Sequence, residues 1–353
     1  MNDGLANAEH ETAELIDEIN ETAFERWYER RRRRLRIRDR GSLSREDTDA
    51  GATAWPSALW KCTRRRYYDE HDAPKEGRLP RGRFWVGRQV ETELVIPFLD
   101  SRLEDDSHYV QGSVWVEIPL EDEGGTVTLR GCTDPCIVDA NGNPLLVTEV
   151  KTCDPPHRDA PADHHIRQLQ AYLGAFRELD QTSEPTGVVL YVDRRDFTLR
   201  SFEVPFDPTI WKEVRCQARE HRDIVGSDQL PPANPEYDWE CDVCPYRHRC
   251  GESTMPFADR PEKGFLPLLE TYTRSAVREH LAAHSTVDLT PTLADRFPEL
   301  AEHATVVPWT CGRCAAAISS FDRTYHPGDR PLCPHCAEAG SIVELTPPTL
   351  DEN

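Results

Sequence analysis

Asp134, Glu149 and Lys151 are the residues whose types and spacing could do chemistry together. Asp134 sits on one apolar run and Glu149-Val150-Lys151 on the next, with Asn141-Gly142-Asn143-Pro144 between them. Asn-Gly between β-rich runs predicts a hairpin, with the two carboxylates on adjacent strands and close enough to share a hard cation. Carboxylate oxygens suit Mg²⁺ or Mn²⁺, which bind through one or two carboxylates plus substrate phosphates. Glu149 and Lys151 are two apart and so share a sheet face. An ammonium beside a metal and its water stabilises charge and orients a nucleophile, which is what phosphodiester hydrolysis requires. A lone Glu-x-Lys is often just a solvated face. Leu145, Leu146, Val147 and Val150, however, make this strand apolar on both sides. Gln168 and Tyr172 follow, four apart, on one helix face from which both could reach the hairpin or a nucleic-acid backbone.

The elements that must position these residues are legible in outline. A helix is predicted over 84–99, then strands around 109–118, 126–137 and 145–152. The helix bearing Gln168 is bounded by Pro161 and Pro185. Residues 187–192 read as a further strand, 197–204 as its hairpin partner and 208–225 as a helix. Strands, a crossover helix and more strands give an α/β fold. Beyond Gly251 a helix over 266–283 and an irregular, proline-broken connector over 285–308 are expected. Before Gly51 a helix and a polar linker are expected.

Twelve cysteines in a chain expected to sit in a reducing cytosol point to metals rather than disulfides. Cys311-x2-Cys314 and Cys333-x2-Cys336 have the paired spacing of a zinc ribbon, a closed tetrahedral site for Zn²⁺, although spacing alone also admits a single iron. Cys241-x2-Cys244-x5-Cys250 forms a second set, with Cys62 far upstream. Four thiolates serve iron–sulfur clusters and structural zinc alike. The remaining cysteines are Cys132, Cys136, Cys153 and Cys216, and Cys132 and Cys136, which flank Asp134, read as small buried core residues. His164 and His165 read as surface or capping residues, with His248 as a reserve zinc ligand.

At Asp134, Glu149, Lys151, Gln168 and Tyr172 the chain resembles the PD-(D/E)xK nuclease superfamily. With Cys62, Cys241, Cys244 and Cys250 it is similar to the RecB-like iron–sulfur exonucleases, the CRISPR-associated Cas-four / Dna-two nuclease family. The resemblance covers residues 53–252. It implies a restriction-endonuclease-like mixed sheet flanked by helices, here followed by a small C-terminal zinc ribbon. It further implies a metal held by Asp134 and Glu149, a Gln-x-x-x-Tyr helix at Gln168 and Tyr172, and a [4Fe–4S] cluster on the four cysteines that joins the two ends of the domain. The family histidine of an early Gly-x-x-His-Glu is absent: Gly87-Arg88-Gln89-Val90-Glu91 has Val90 in its place, leaving Glu91, Glu93 or water to fill the position.

The expected organisation is therefore a helical, basic extension over 1–50, a nuclease domain over 53–252, a helical connector over 253–308 and the ribbon over 309–345. The net charge of −21, with Lys61, Lys75, Lys151, Lys212 and Lys263 the only lysines among 42 basic residues, suggests a halophilic protein of a very salty cytoplasm. At about 1 M salt the Debye length is only ~3 Å, so local contacts would decide nucleic-acid binding. Arg30–Arg34 and the Lys61–Tyr68 stretch, where basic residues interleave with Trp60, Tyr67 and Tyr68, are the candidate DNA contacts. The polar amino-terminal segment and the lack of any long apolar run predict a cytoplasmic protein with no membrane partner. The expected function is Mg²⁺- or Mn²⁺-dependent cleavage of DNA, at single-stranded ends, with DNA repair, recombination or CRISPR adaptation proteins as partners. The alternative is a catalytically weak nucleic-acid-binding adaptor that uses the same fold and the ribbon for docking.

Overall fold

A computed structural model of the chain describes residues 23–24, 27–28, 30–31, 52–77, 81–103, 107–153, 159–182, 185–253, 258–267, 269, 271–320, 323–325 and 331–347. The chain divides into two units, Met1–Gly51 and Ala52–Asn353. In the first, the described residues are helical and carry a stacked pair of rings, Phe24 and Tyr28, 6.2 Å apart. Arg30 and Arg31 lie on this helix, whereas Arg32–Arg34 and the expected linker to Gly51 lie outside the described residues.

The second unit is mixed α/β. Its five-stranded sheet runs β2 (His108–Gln111), β5 (Cys136–Asp139), β6 (Pro144–Cys153), β7 (Thr186–Asp193), β8 (Leu199–Pro205). Only β6 and β7 are parallel. They are joined across the sheet by helix α4 (Asp163–Glu178), as parallel neighbours require. A three-stranded sheet sets β4 (Gly125–Cys132) between the parallel β1 (Ala52–Ala54) and the antiparallel β3 (Trp115–Asp122). Helices α1 (Thr63–Glu70), α4 and α5 (Pro208–Val225) flank these sheets, and the largest core cluster joins both sheets to α4 and α5. Leu169, Leu173 and Phe176, spaced for one helix face, are fully buried there.

The strand expected over 126–137 is in fact two strands in different sheets. The break falls at Thr133-Asp134-Pro135, where Pro135 has no amide hydrogen to give to a ladder. Residues 109–118 likewise divide between β2 and β3. The helix expected over 84–99 is interrupted: α2 (Arg81–Val90) passes through a π-helical turn, Glu91–Val95, into α3 (Ile96–Asp100). Of the helix expected over 266–283, the described residues show Arg274–Ala283 as helix, its start capped by the Thr273 hydroxyl, which accepts the Ala276 amide at 3.3 Å. Two short helices, Pro291–Arg296 and Pro298–Ala301, lie within the connector, which buries its own cluster around Phe265, Tyr272 and Leu293. Three short antiparallel strands, β9 (Trp309–Cys311), β10 (Ala317–Ile318) and β11 (Leu345–Thr346), follow. Among the described residues no helix is long and apolar enough to cross a membrane.

One glycine reports how tightly α4 is packed. A Cβ on Gly174 would lie 2.2 Å from the indole of Trp211 on α5, whose Nε1 donates to Glu178 Oε1 at 3.1 Å and so resists displacement. Gly174→Ala is expected to destabilise the protein by about 1–3 kcal/mol through overpacking, measured as a lowered unfolding midpoint.

Candidate active site

The hairpin between β5 and β6 turns at Ala140–Asn143. Asp139 Oδ1 accepts the amides of Asn141 and Asn143 at 2.8 and 2.9 Å, and Gly142 takes the positive φ of 86° that the turn demands. Asp134 lies just before β5, in the segment where the chain passes from one sheet to the other. From there its Oδ2 accepts the amide of Val150 on β6 at 2.7 Å. The side chain of Asp134 is thereby fixed against the strand that carries Glu149 and Lys151.

Glu149 is fully buried, and its Oε1 forms an ion pair with the Lys151 ammonium. Oε1 is met by that ammonium, but Oε2 makes no hydrogen bond with any described residue. A buried carboxylate oxygen lacking a donor is a costly arrangement unless something else is meant to occupy it. Glu91, at the start of the π turn, feels the charges of both Asp134 and Lys151 and supplies a third carboxylate. Single π turns inserted into α-helices are frequent at functional sites.

The electrostatics follow from three carboxylates sharing one buried volume. Burial pushes Glu149 up to about 8, with repulsion from Asp134 adding to it and Lys151 opposing. Burial and then Asp134 raise Glu91 to about 7. Burial also raises Asp134, against the pull of Lys151 and the Val150 amide. For Lys151, burial favours the neutral amine, but Glu149, Asp134 and Glu91 together hold it above the ordinary lysine value. Lys151 therefore keeps its proton, and the excess negative charge is relieved by protons shared among the carboxylates.

Tyr172 on α4 is buried and donates its hydroxyl to the Cys132 carbonyl at 2.7 Å, tying α4 to the end of β4 two residues before Asp134. Gln168, one turn earlier, hydrogen-bonds the Tyr172 hydroxyl. The two thus support the segment that presents Asp134. The space left by the family histidine is closed: Val90 is buried against Val150, Leu190 and Val192. Glu93 lies in the exposed part of the turn, so Glu91 is the residue brought to the cluster.

Cys62, Cys241, Cys244 and Cys250 line one pocket, which brings the two ends of the domain together. Two buried glutamates hold its walls. Glu240 Oε2 accepts the Cys62 amide at 3.1 Å, and Glu76 accepts the His248 and Arg249 amides at 2.7 and 2.9 Å. Sequence reasoning missed both glutamates, although Glu240 stands next to Cys241. Among the described residues these four sulfurs do not close to single-ion distance. The C-terminal four do: the Sγ atoms of Cys311, Cys314, Cys333 and Cys336 all lie within 4.8 Å of one another. This set fits a small zinc site.

Two expectations need correcting. The Lys61–Tyr68 stretch is no nucleic-acid surface: Arg66, Tyr67 and Tyr68 are buried, the two tyrosines in a core cluster with Ile224 and Tyr246. Its cations are engaged internally, Arg66 with Glu220 at 3.3 Å and Arg64 with Asp259 and the Cys250 carbonyl. Interleaved aromatics here serve packing, and burial lowers even Lys61 to about 8. Of the two cysteines flanking Asp134, Cys136 is buried but Cys132 is exposed, because alternate residues of β4 face outward at its end. His165 places its Nδ1 2.7 Å from the Tyr191 hydroxyl, and His248 its Nδ1 2.8 Å from Ser253 Oγ.

A family model for the PD-(D/E)XK nuclease superfamily matches residues 9–251. A search of curated proteins returns no match. Among solved structures, the crystal structure of SSO0001 aligns with a TM-score of 0.39 at 21% identity, covering 57% of this chain and 86% of that one. An alkaline exonuclease (LHK-Exo) from Laribacter hongkongensis aligns at 0.27 and 12% identity, over 40% of this chain and 68% of its own. The same exonuclease in complex with dAMP aligns at 0.29 and 13%, over 48% and 91%.

Proposed function

The chain belongs to the PD-(D/E)XK nuclease superfamily, and on that premise we propose that it is a Mg²⁺- or Mn²⁺-dependent deoxyribonuclease acting on single-stranded ends. One observation carries this reading. A fully buried glutamate with an oxygen that no described residue hydrogen-bonds lies beside a second carboxylate, with a third and an ammonium alongside. That donor set fits a hard divalent ion, held by Asp134, Glu149 and Glu91. Such an ion, when bound, polarises a phosphoryl oxygen and lowers the pKa of a water.

The chain's own groups do the rest. Lys151, holding its proton, stabilises charge that develops on the phosphate and orients the attacking water rather than abstracting its proton. Gln168 and Tyr172 keep α4 and the Asp134 segment in register. Glu91, the residue after the Val90 that stands in place of the family histidine, supplies a third carboxylate, and this favours an active enzyme over the weak-adaptor alternative. The test is a cleavage assay on single- and double-stranded DNA in molar KCl with Mn²⁺. Cleavage by the wild-type chain supports the reading, and binding without cleavage would favour the adaptor.

The cysteine sites are assigned on the same footing. Cys62, Cys241, Cys244 and Cys250 hold a [4Fe–4S] cluster that ties residue 62 to residues 241–250. Their spread around a pocket suits a multi-iron group better than one ion, and Arg64, whose guanidinium approaches Cys250 Sγ at 3.7 Å, would soften thiolate charge. A C-terminal zinc ribbon over 309–345 holds Zn²⁺ on Cys311, Cys314, Cys333 and Cys336, in a unit whose buried core is little more than Trp309, Leu345 and three of those cysteines, Cys311, Cys333 and Cys336. Removing this ion with a chelator is expected to unfold the ribbon and to red-shift the emission of buried Trp309; unaltered emission after the zinc has been shown to leave would contradict the assignment. The remaining parts of the reading are a basic extension over 1–50, a connector over 253–308 and a place in a salty cytoplasm, serving repair, recombination or CRISPR adaptation.

A further inference from the structure

Helix α2 is anchored by one face and open on the other. Val86 and Val90, four apart, pack on Val150, Leu190 and Val192, and a Cβ on Gly87 would meet Thr152, the residue after Lys151, at 3.9 Å. The helix therefore lies across the strand that carries Glu149 and Lys151 and runs directly into Glu91. Its outer face holds Phe84, 72% exposed, and Trp85, 54% exposed, between the exposed Arg83 and Arg88.

Two adjacent large rings left in water are an unusual use of a helix that could have carried charge, and this chain is otherwise strongly acidic. Rings flanked by guanidinium groups match one kind of polymer, one with exposed π faces and a phosphate at each step. In a duplex the bases are stacked on one another, and only phosphates would be offered. A single strand offers both. Trp85 precedes Glu91 by six residues, about 9 Å along the helix axis, which is the reach of the next nucleotides from a phosphate at the carboxylate cluster.

We propose that Phe84 and Trp85 form a stacking platform for unpaired bases next to the scissile phosphate, with Arg83 and Arg88 on the flanking phosphates, so that α2 selects single-stranded over duplex DNA. This rests on the nuclease reading for its location. It is tested by binding, so a failure of cleavage would not decide it. In high salt, where phosphate contacts are screened, the rings would supply a growing share of the affinity.

The experiment uses the full chain with Ca²⁺ in place of Mn²⁺ and a fluorescent oligothymidylate, followed by anisotropy beside a duplex of equal length. Phe84→Ala with Trp85→Ala is expected to weaken single-strand binding about tenfold or more. Duplex binding should change by less than about twofold, and Trp85→Tyr should retain most of the wild-type affinity. Because both rings are exposed, the unfolding midpoint should stay at its wild-type value. Unchanged single-strand binding would overturn the proposal, as would equal losses on the two polymers. A change of oligomeric state with DNA binding intact would also overturn it, by assigning this face to a second copy of the chain.

Discussion

Lys151→Ala is expected to lower the rate of Mn²⁺-dependent DNA cleavage by about 10²–10³-fold, the effect of removing a single preorganised charge-stabilising group. The side chain is held between Glu149, Asp134 and Glu91, and its ammonium is the one ion-paired to Glu149 among the described residues. The three carboxylates then repel one another more strongly and take up protons, which keeps the fold intact but leaves the phosphate without its ammonium. Lys151→Arg is expected to recover little, because a planar guanidinium does not occupy the position of a compact ammonium. The measurement is the initial rate on an end-labelled single strand, with circular dichroism to verify folding. A variant as fast as the wild type would remove Lys151 from the chemistry.

The second large effect is pH dependence of ion binding. Glu149 is raised from 4.5 to about 8 and Glu91 from 4.5 to about 7, so without an ion the folded protein holds protons that the unfolded chain would release. The sign follows from linkage. With raised folded values, the ion-free protein loses stability as pH climbs from about 4.5 towards about 8, and no further loss arises from these groups above that. An ion must displace those protons, so its apparent affinity rises across the same window, by up to about tenfold per pH unit for each proton released. Thermal unfolding with and without Mn²⁺, at pH values below, within and above the window, would show the stabilisation by Mn²⁺ growing with pH. A stabilisation that is flat or falls with pH would mean that these carboxylates do not receive the ion.

Much of the fold was readable because its signals are local. Asn141-Gly142 fixed a hairpin through the positive φ that glycine tolerates, and Pro208–Val225 appears as a helix with the bounds its proline and apolar spacing suggested. The paired cysteine knuckles likewise announced the C-terminal site by spacing alone. What escaped was long-range. Pro135 marked a break, but that the chain changes sheets there depends on β1 reaching β4 from 75 residues away in sequence, as Ala52 pairs with Val127. The π turn that aims Glu91 leaves no pattern, since one extra residue per turn is set by packing over β6. Tyr67 and Tyr68 were misread for a related reason: alternation of basic and aromatic residues looks the same whether the rings face water or Tyr246. The candidate site was therefore legible where Asp134, Glu149 and Lys151 are close in sequence, and only half legible at Glu91, which arrives from another helix.

Whether Glu149 completes an ion site with Asp134 and Glu91 is measured most directly by calorimetric titration of Mn²⁺ in two buffers of different ionisation enthalpy. Saturable binding with proton release is expected of the wild-type chain, and loss of both in Glu149→Gln, which keeps the shape of the side chain but not its charge. Equal Mn²⁺ affinity and equal proton release in the two proteins would contradict it.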